Sequence, residues 1–187
     1  MATCYVNLVR GPRQVYQSYM RGRYEVYDPE QHDQWLGGEA IRFGAYGDPA
    51  AIPASVWQNM QKLSGTHTGY THAWRYCAPE YAQFLMASVD TEEERVIANN
   101  MGWRTFRVRE PEGNVVKGEI VCPASHEFEE VRGYKITCIE CGLCAGASRK
   151  AKDIVIIAHG ISKKRFSEEQ AEELRSPEPE YQLPVLN

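Results

Sequence analysis

The amino-acid sequence predicts an α/β fold whose sheet is mostly parallel and forms an open or incomplete TIM-barrel-like structure. Short apolar runs alternate with helical patterns between about residues 39 and 109, which is typical of strand–helix–strand units in parallel sheets. After that region β-prone runs continue, helices become scarce and cysteines accumulate. The chain has 187 residues, fewer than the roughly 250 that a complete eight-stranded barrel needs.

The amino-terminal half supplies the first strands and helices in order. We expect a strand near "TCYVNLV", then a short amphipathic helix with Val15 and Tyr19 one turn apart, and an aromatic loop that reaches Trp35. "EAIRFGAY" is predicted to be a strand, and "IPASVWQNMQKLSG" a helix that begins near Pro53 and ends at Gly65. "THTGYTHAW" and "FLMASVD" are the next strands, with a short helix at "APEYAQ" between them.

The remaining elements follow from capping and apolar patterns. "TEEERVIANNMG" is predicted to be a helix because Thr91 and Glu94 have capping-box spacing, and "RTFRVRE" is a fourth strand. Three further strands are expected at "GEIVCPAS", "YKITCIECG" and "DIVIIAHG", and a terminal helix at "SEEQAEELR". We therefore predict one α/β domain over residues 1–175, with a metal-binding loop at 122–144 and a Pro-rich extended tail at 176–187.

Composition excludes several classes of protein. The formal net charge is -4, with 25% charged and 43% hydrophobic residues, which describes a globular chain rather than a disordered or polyanion-coating one. No apolar run approaches the roughly 20 residues of a membrane helix, and the first residues lack the pattern of a signal peptide. We therefore expect a cytoplasmic protein with reduced thiols and no membrane partner.

Three of the six cysteines lie in the stretch "CIECGLC", at Cys138, Cys141 and Cys144. Thiolates at such spacing select zinc or an iron–sulfur cluster. The stretch resembles the cluster-binding loop of bacterial ferredoxins, C-x2-C-x2-C-x3-C-P. It departs from that loop because Ser148 stands where the fourth cysteine would be.

The fourth ligand must then come from another part of the chain. Cys122, followed by Pro123 at the end of a predicted strand, is the first candidate, and His159 is the alternative. Both a [4Fe–4S] cluster and a zinc ion are compatible with this set of ligands. The sequence leaves the choice between them open.

Polar residues follow most of the predicted strands, and the carboxyl ends of parallel strands share one edge of a sheet where ligands bind. The predicted strand ends carry Asp48, His72, Arg75, Asp90, Cys122, Cys138 and His159. We expect Asp48, His72 and Asp90 to be catalytic, since paired carboxylates beside a histidine suit acid–base chemistry. Both aspartates also fit a helix-capping role.

Aromatic and cationic residues stand beside the predicted catalytic ones. Tyr46, Tyr70, Trp74 and Arg75 are the expected substrate-binding residues, because aromatic rings stack on nucleobases and an arginine binds phosphate. Packing in the core is the other interpretation of the same rings.

The order of "CYV", "RFGAYGDPAAIP", "GYTHAWR", "MASVD", "CIECGLC" and "IVIIAHG" resembles a family of small bacteriophage and prophage proteins. That family is distantly similar to the phage proteins called gene product 88, which share a "CY" start and a late Cys-rich loop. The resemblance implies a phage-encoded protein of the host cytoplasm, without an established activity. A weaker similarity is to the transglycosylases that exchange guanine for a deazaguanine base in RNA or phage DNA. It implies a barrel with a zinc site and paired aspartates, here Asp48 and Asp90.

Three classes of function follow. The first is a metalloenzyme that acts on a nucleobase or nucleic acid at the carboxyl edge of the sheet, as a base-exchange transferase. The second is a phage accessory protein that binds a host partner and has a structural metal site. The third is an iron–sulfur redox protein.

Overall fold

A six-stranded sheet, parallel throughout, forms the centre of the protein. The computed structural model describes residues 11–158. Its strands are β1 (Ala40–Phe43), β2 (Thr66–Thr71), β3 (Met86–Val89), β4 (Thr105–Arg109), β5 (Glu119–Val121) and β6 (Asp153–Ile157), in the spatial order β1-β2-β3-β4-β6-β5. All four residues of β3 are buried, as expected for a central strand that is covered on both faces.

Six α-helices connect or flank these strands within residues 11–158. They are α1 (Gly11–Met20), α2 (Pro29–Leu36), α3 (Ala54–Leu63), α4 (Glu92–Asn100), α5 (His126–Arg132) and α6 (Cys138–Cys141). Short 3-10 turns occur at Pro49–Ala51, Ala73–Arg75, Pro79–Gln83 and Gly146–Ser148. No helix in this part of the chain has the length and apolar character needed to cross a membrane.

The prediction of an α/β protein with an open, parallel sheet is confirmed. A TIM-barrel-like form is not confirmed, because within residues 11–158 β1 and β5 lie at opposite ends of the strand order and do not pair with each other. The sheet departs from a simple sequential order at one place, where β6 lies between β4 and β5.

Helices α3 and α4 cover one face of the sheet. The apolar cluster beneath them includes Phe43, Leu85 and Val89 from the sheet region and Ala98 from α4. Farther along the same face the packing is charged: Arg107 on β4 binds both carboxylate oxygens of Glu119, each at 2.7 Å. This fork-shaped pairing satisfies a carboxylate whose side chain has no exposed surface.

Residues 122–148, which we call the cysteine segment, cover the opposite face. Their contacts are with a second apolar cluster that contains Met86, Ile154, Cys122 and Cys144. The segment contains two short helices, α5 and α6, and the 3-10 turn at Gly146–Ser148, and is otherwise irregular. A layer that is usually made of long crossover helices is therefore replaced here by loops, so its rigidity has to come from other contacts.

Three local predictions were wrong. The stretch "YKITCIECG" is an irregular segment followed by the one-turn helix α6 rather than a strand. The Thr137 side chain caps this helix by accepting a hydrogen bond from the Glu140 amide. The Glu140 carboxylate in turn accepts a hydrogen bond from the Thr137 amide at 2.8 Å. The local capping box therefore outweighs the apolar alternation that suggested a strand.

Helices α2 and α5 were also missed, since both lie in regions predicted to be loops. Asp28 caps α2 and Pro29 opens it, which is an ordinary helix start. The predicted amino-terminal strand, the terminal helix, the extended tail and His159 lie outside the described residues.

A four-cysteine candidate metal centre

Four cysteines from two separate parts of the cysteine segment line one small cavity on the sheet. They are Cys122, which follows β5, and Cys138, Cys141 and Cys144. The other walls come from the sheet and from the segment itself: Thr68, Tyr70, Pro123, Ala124, Gly142, Leu143 and Ile154. The structure therefore brings together the four cysteines that the sequence assigned to a metal.

The two ends of this arrangement are tied to the sheet by backbone hydrogen bonds. The Cys122 amide donates to the Val155 carbonyl at 2.8 Å, so Cys122 extends the pairing of β5 with β6. The Cys144 carbonyl accepts from the Gly69 amide of β2 at 3.2 Å. Cys122 and Cys144 are consequently buried, with 9% and 7% exposure.

Two glycines with positive φ, Gly142 and Gly146, flank Cys144 and let the backbone turn on both sides of it. Gly142 ends α6 with φ 53°, a left-handed conformation that side chains rarely adopt. Gly146 has φ 67°, and a Cβ there would lie 2.7 Å from the amide nitrogens of Phe84 and Leu85. Residues 144–146 thus pass against the backbone just before β3, where only a glycine fits.

Arg104, which directly precedes β4, anchors the chain on both sides of Cys144 and just before β6. Its Nη1 donates to the carbonyls of Leu143 at 2.7 Å and Gly146 at 3.0 Å, and its Nη2 donates to the Lys152 carbonyl. The side chain is almost entirely buried. A single guanidinium therefore donates to three carbonyls of a largely irregular segment, of which the Gly146 carbonyl also accepts from the Arg149 amide at 3.4 Å.

Burial sets the electrostatics of the inner thiols. It raises the pKa of Cys144 to about 12 and also raises the pKa of Cys122. The Tyr70 side chain beside Cys144 lowers the pKa of that thiol and so opposes the effect of burial. Without a cation the two inner groups are therefore neutral thiols at pH 7, whereas a thiophilic cation would favour their thiolate forms.

The four cysteines have the donor atoms that bind a metal ion and they line the same cavity, but their sulfur atoms do not point toward one common centre. Among residues 11–158, no three His, Cys, Asp or Glu side chains already form a group that could hold a metal ion. Each sulfur is one rotatable bond from its Cα, and that bond has three staggered positions. Rotation of the thiols into the cavity that they share is the smallest change that creates a ligand set.

The cavity itself is small, with about 10 Å³ of internal space. That space corresponds to about one water-sized sphere. A [4Fe–4S] cluster, which places four irons and four sulfides between its cysteines, needs more room than a single ion. The thiols have to rotate before either group can bind. Zinc also takes a set of four thiolates without further ligands.

The carboxyl edge of the sheet, predicted to be the catalytic site, is held by hydrogen bonds around Asp48. One carboxylate oxygen accepts from the Ala50 amide at 2.9 Å and the Thr71 hydroxyl at 2.6 Å. The other accepts from the His72 amide at 2.8 Å. Asp48 thereby joins the loop after β1 to the end of β2, which is the capping alternative that the sequence left open.

The neighbouring predicted residues are also engaged. Arg75 forms an ion pair with Glu94 at 3.2 Å and lies 4.3 Å from the centre of the Trp74 ring. Trp74 is buried, and its indole nitrogen donates to the Ser88 carbonyl at 3.1 Å. The Asp90 amide donates to Glu94 at 2.8 Å, next to the start of α4.

The predicted substrate-binding residues do not share one surface. Tyr70 packs on Phe106 with ring centres 4.5 Å apart, on the face of the sheet that carries the cysteines. Trp74 belongs to the cluster on the opposite face. Tyr46 is exposed in the loop after β1. The assignment of catalysis to Asp48, His72 and Asp90 stays a prediction, and so does substrate binding by the aromatic residues.

Replacing Asp48 with Asn tests the capping interpretation. Asn keeps one acceptor oxygen but presents an NH2 group toward the other donors, so we expect the free energy of unfolding to fall by about 1–3 kcal/mol in urea titrations. The matched control is Asp28→Asn at the start of α2, where asparagine caps as well as aspartate does. If the two variants lose the same free energy of unfolding, Asp48 does not have the proposed structural role.

Two contributors to the cysteine site were missed from sequence. Arg104 was not singled out, although an arginine directly before a buried strand is a signal for a side chain with internal partners. Tyr70 was assigned to a substrate surface, whereas it lines the cavity together with the four cysteines. Comparisons with protein-family models, with curated proteins and with solved structures gave no match.

Proposed function

We propose that this chain is a zinc-binding protein in which Cys122, Cys138, Cys141 and Cys144 hold one ion that fastens the cysteine segment to the sheet. The observation that carries the proposal is that all four thiols line one cavity although Cys122 is 16 residues away from Cys138 along the chain. Thiols placed by chance on an irregular segment have no reason to converge in this way. Bound zinc would supply a tetrahedral crosslink between them.

The position of the site supports a structural rather than a catalytic ion. Its inner ligands are buried, and the cavity walls are apolar side chains and backbone of the sheet and the cysteine segment. A catalytic zinc keeps an open coordination position for water or substrate, whereas four thiolates leave none. The layer that covers this face of the sheet consists of loops, so a crosslink there supplies the rigidity that long helices would otherwise give.

Metal analysis of protein purified without oxygen tests this proposal. We expect a colourless protein with one zinc per chain, and a cobalt-substituted form whose visible bands are those of a tetrahedral thiolate site. A brown protein that contains iron and sulfide would show that the four cysteines bind an iron–sulfur cluster rather than zinc. Protein that binds neither metal after reduction and reconstitution would contradict a metal site altogether.

Zinc affinity should depend steeply on pH. Burial raises the pKa of Cys122 and Cys144, so both bind protons at pH 7 in the metal-free protein and must lose them when zinc binds. Protons and zinc therefore compete, and each proton released changes the apparent affinity about tenfold per pH unit. We expect affinity to fall about a hundredfold or more per unit as pH decreases below 7, measured by competition with a chelator of known affinity. A flat profile would exclude the buried thiols as ligands.

Among the functions predicted from sequence, a protein with a structural metal site agrees with the most contacts. Nucleobase exchange at the carboxyl edge has less support because the Asp48 carboxylate accepts three hydrogen bonds and Arg75 is paired with Glu94. A phage origin, a host partner and redox activity remain hypotheses that rest on the sequence resemblance and the cysteine spacing.

A further inference from the structure

The four cysteines of the site differ sharply in their access to solvent. Cys122 and Cys144 are buried, Cys141 is partly buried, and Cys138 is exposed. The exposed and partly exposed cysteines both belong to α6, the single helical turn at the outer side of the cavity. A reagent that arrives from solvent therefore meets these two sulfurs first.

Helix α6 also holds this pair at a spacing that a disulfide can bridge. Residues three apart in an α-helix have Cα atoms about 5 Å apart, within the range of 4.4–6.8 Å that disulfides span. The capping box of Thr137 and Glu140 fixes the start of the turn, and Gly142 ends it. The spacing of Cys138 and Cys141 is thus set by hydrogen bonds within the turn.

We propose that Cys138 and Cys141 form a thiol-oxidation site through which disulfide-containing oxidants release the metal. This inference rests on the proposed zinc function and adds a regulation of the same site. The buried thiols, Cys122 and Cys144, stay reduced and attached to the sheet while the outer pair reacts.

The reaction uses a small disulfide, RSSR, as the oxidant. The Cys138 sulfur attacks one sulfur of RSSR, a mixed disulfide forms, and the first RS⁻ leaves. The Cys141 sulfur then attacks the Cys138 sulfur and expels the second RS⁻, so two cysteine thiolates lose two electrons and RSSR gains them. Two of the four donors are consumed, and the remaining two thiolates do not retain zinc.

Release of the metal should loosen one side of the protein rather than unfold its sheet directly. The inner cysteines keep their backbone hydrogen bonds to Gly69 and Val155, which do not depend on sulfur. The part that loses its crosslink is the outer one, around α6. Oxidation is therefore reversible in principle, since reductant and zinc restore the same ligands.

Zinc-loaded full-length protein treated with oxidised glutathione tests the inference. All samples carry the Cys77→Ser substitution, because Cys77 is a half-exposed thiol outside the site that could also react with the oxidant. Zinc release is followed with a coloured chelator, with a parallel sample that receives the chelator but no oxidant. Cleavage after Lys135 and Arg149 gives one peptide with three of the cysteines and leaves Cys122 on another, so differential alkylation and fragmentation locate the disulfide.

We expect release of the bound zinc together with a Cys138–Cys141 disulfide, reversed by dithiothreitol and added zinc. The outer cysteines should be oxidised at least about tenfold faster than Cys122 and Cys144. Zinc that stays bound under oxidant, or a disulfide that includes Cys122 or Cys144, would overturn the inference and leave the proposed zinc site intact. Protein that never binds zinc would refute the proposed function and the release step together.

Discussion

Replacing Cys144 with Ser is expected to weaken zinc binding by more than about a hundredfold and to lower the melting temperature of the zinc-supplied protein by about 8–16 °C. Loss of a residue that merely orients a ligand already costs 10–100-fold in metal affinity, so loss of a ligand costs more. A metal present at about 1,000 times its dissociation constant stabilises by about 4 kcal/mol. For a chain of this size each kcal/mol corresponds to about 2–4 °C.

Cys77→Ser is the matched control for this experiment, since it removes a thiol that does not line the cavity. It should bind one zinc per chain and lose about 1 kcal/mol or less. Calorimetry with and without a chelator separates the two contributions: the chelator should lower the melting temperature of the control and leave Cys144→Ser almost unchanged. A Cys144→Ser protein that still holds one zinc per chain would show that Cys144 is not a ligand.

Replacing Arg104 with Met should be the most destabilising change among the arginines that contact the cysteine segment. The variant removes the guanidinium donor from the carbonyls of Leu143, Gly146 and Lys152, which are buried or partly buried. Unsatisfied buried polar groups cost about 1–3 kcal/mol each, with partial relief from relaxation and entering water. We expect the free energy of unfolding to fall by about 3–5 kcal/mol in urea titrations, together with a lower zinc affinity.

Arg149→Met is the control for Arg104→Met, because Arg149 is exposed and its guanidinium has one hydrogen bond, at 3.1 Å to the Gly142 carbonyl. It should cost about 1 kcal/mol or less. Arg104→Lys, which keeps the charge but not the planar fork, should fall between the two methionine variants. Equal losses for the Arg104 and Arg149 methionine variants would contradict the anchoring role of Arg104.

Local patterns predicted the six strands of the sheet and the helices α3 and α4, but also one strand that does not form, at "YKITCIECG". β3 is recognisable as an apolar run, and α4 begins where Thr91 and Glu94 indicate, with the Thr91 side chain accepting from the Glu94 amide. The parallel arrangement followed from the alternation of these elements. Such features depend on residues close together in the chain, so a single sequence contains them.

Features that depend on tertiary contacts were harder to predict from the sequence. Neighbouring residues of a strand point to opposite faces, so assigning Tyr70 to a face requires the register of β2 with its partners. The open form of the sheet depends on which strands become its edges, and no residue of β1 or β5 indicates this locally. The convergence of Cys122 with the other cysteines was expected from chemistry, whereas their differences in exposure came only with the fold.

The passage of residues 144–146 beside the backbone that leads into β3 bears on the order in which the protein can fold during synthesis. The Gly69 amide of β2 donates to the Cys144 carbonyl, 75 residues later in the chain. β6 is added later still and inserts between two strands that were made before it. A nascent chain that ends before Cys144 consequently has β4 as an open edge and leaves the Gly69 amide without its acceptor, and such edges pair readily with other chains. Completion of the sheet is thus postponed until β6, which follows the last cysteine of the site, has left the ribosome.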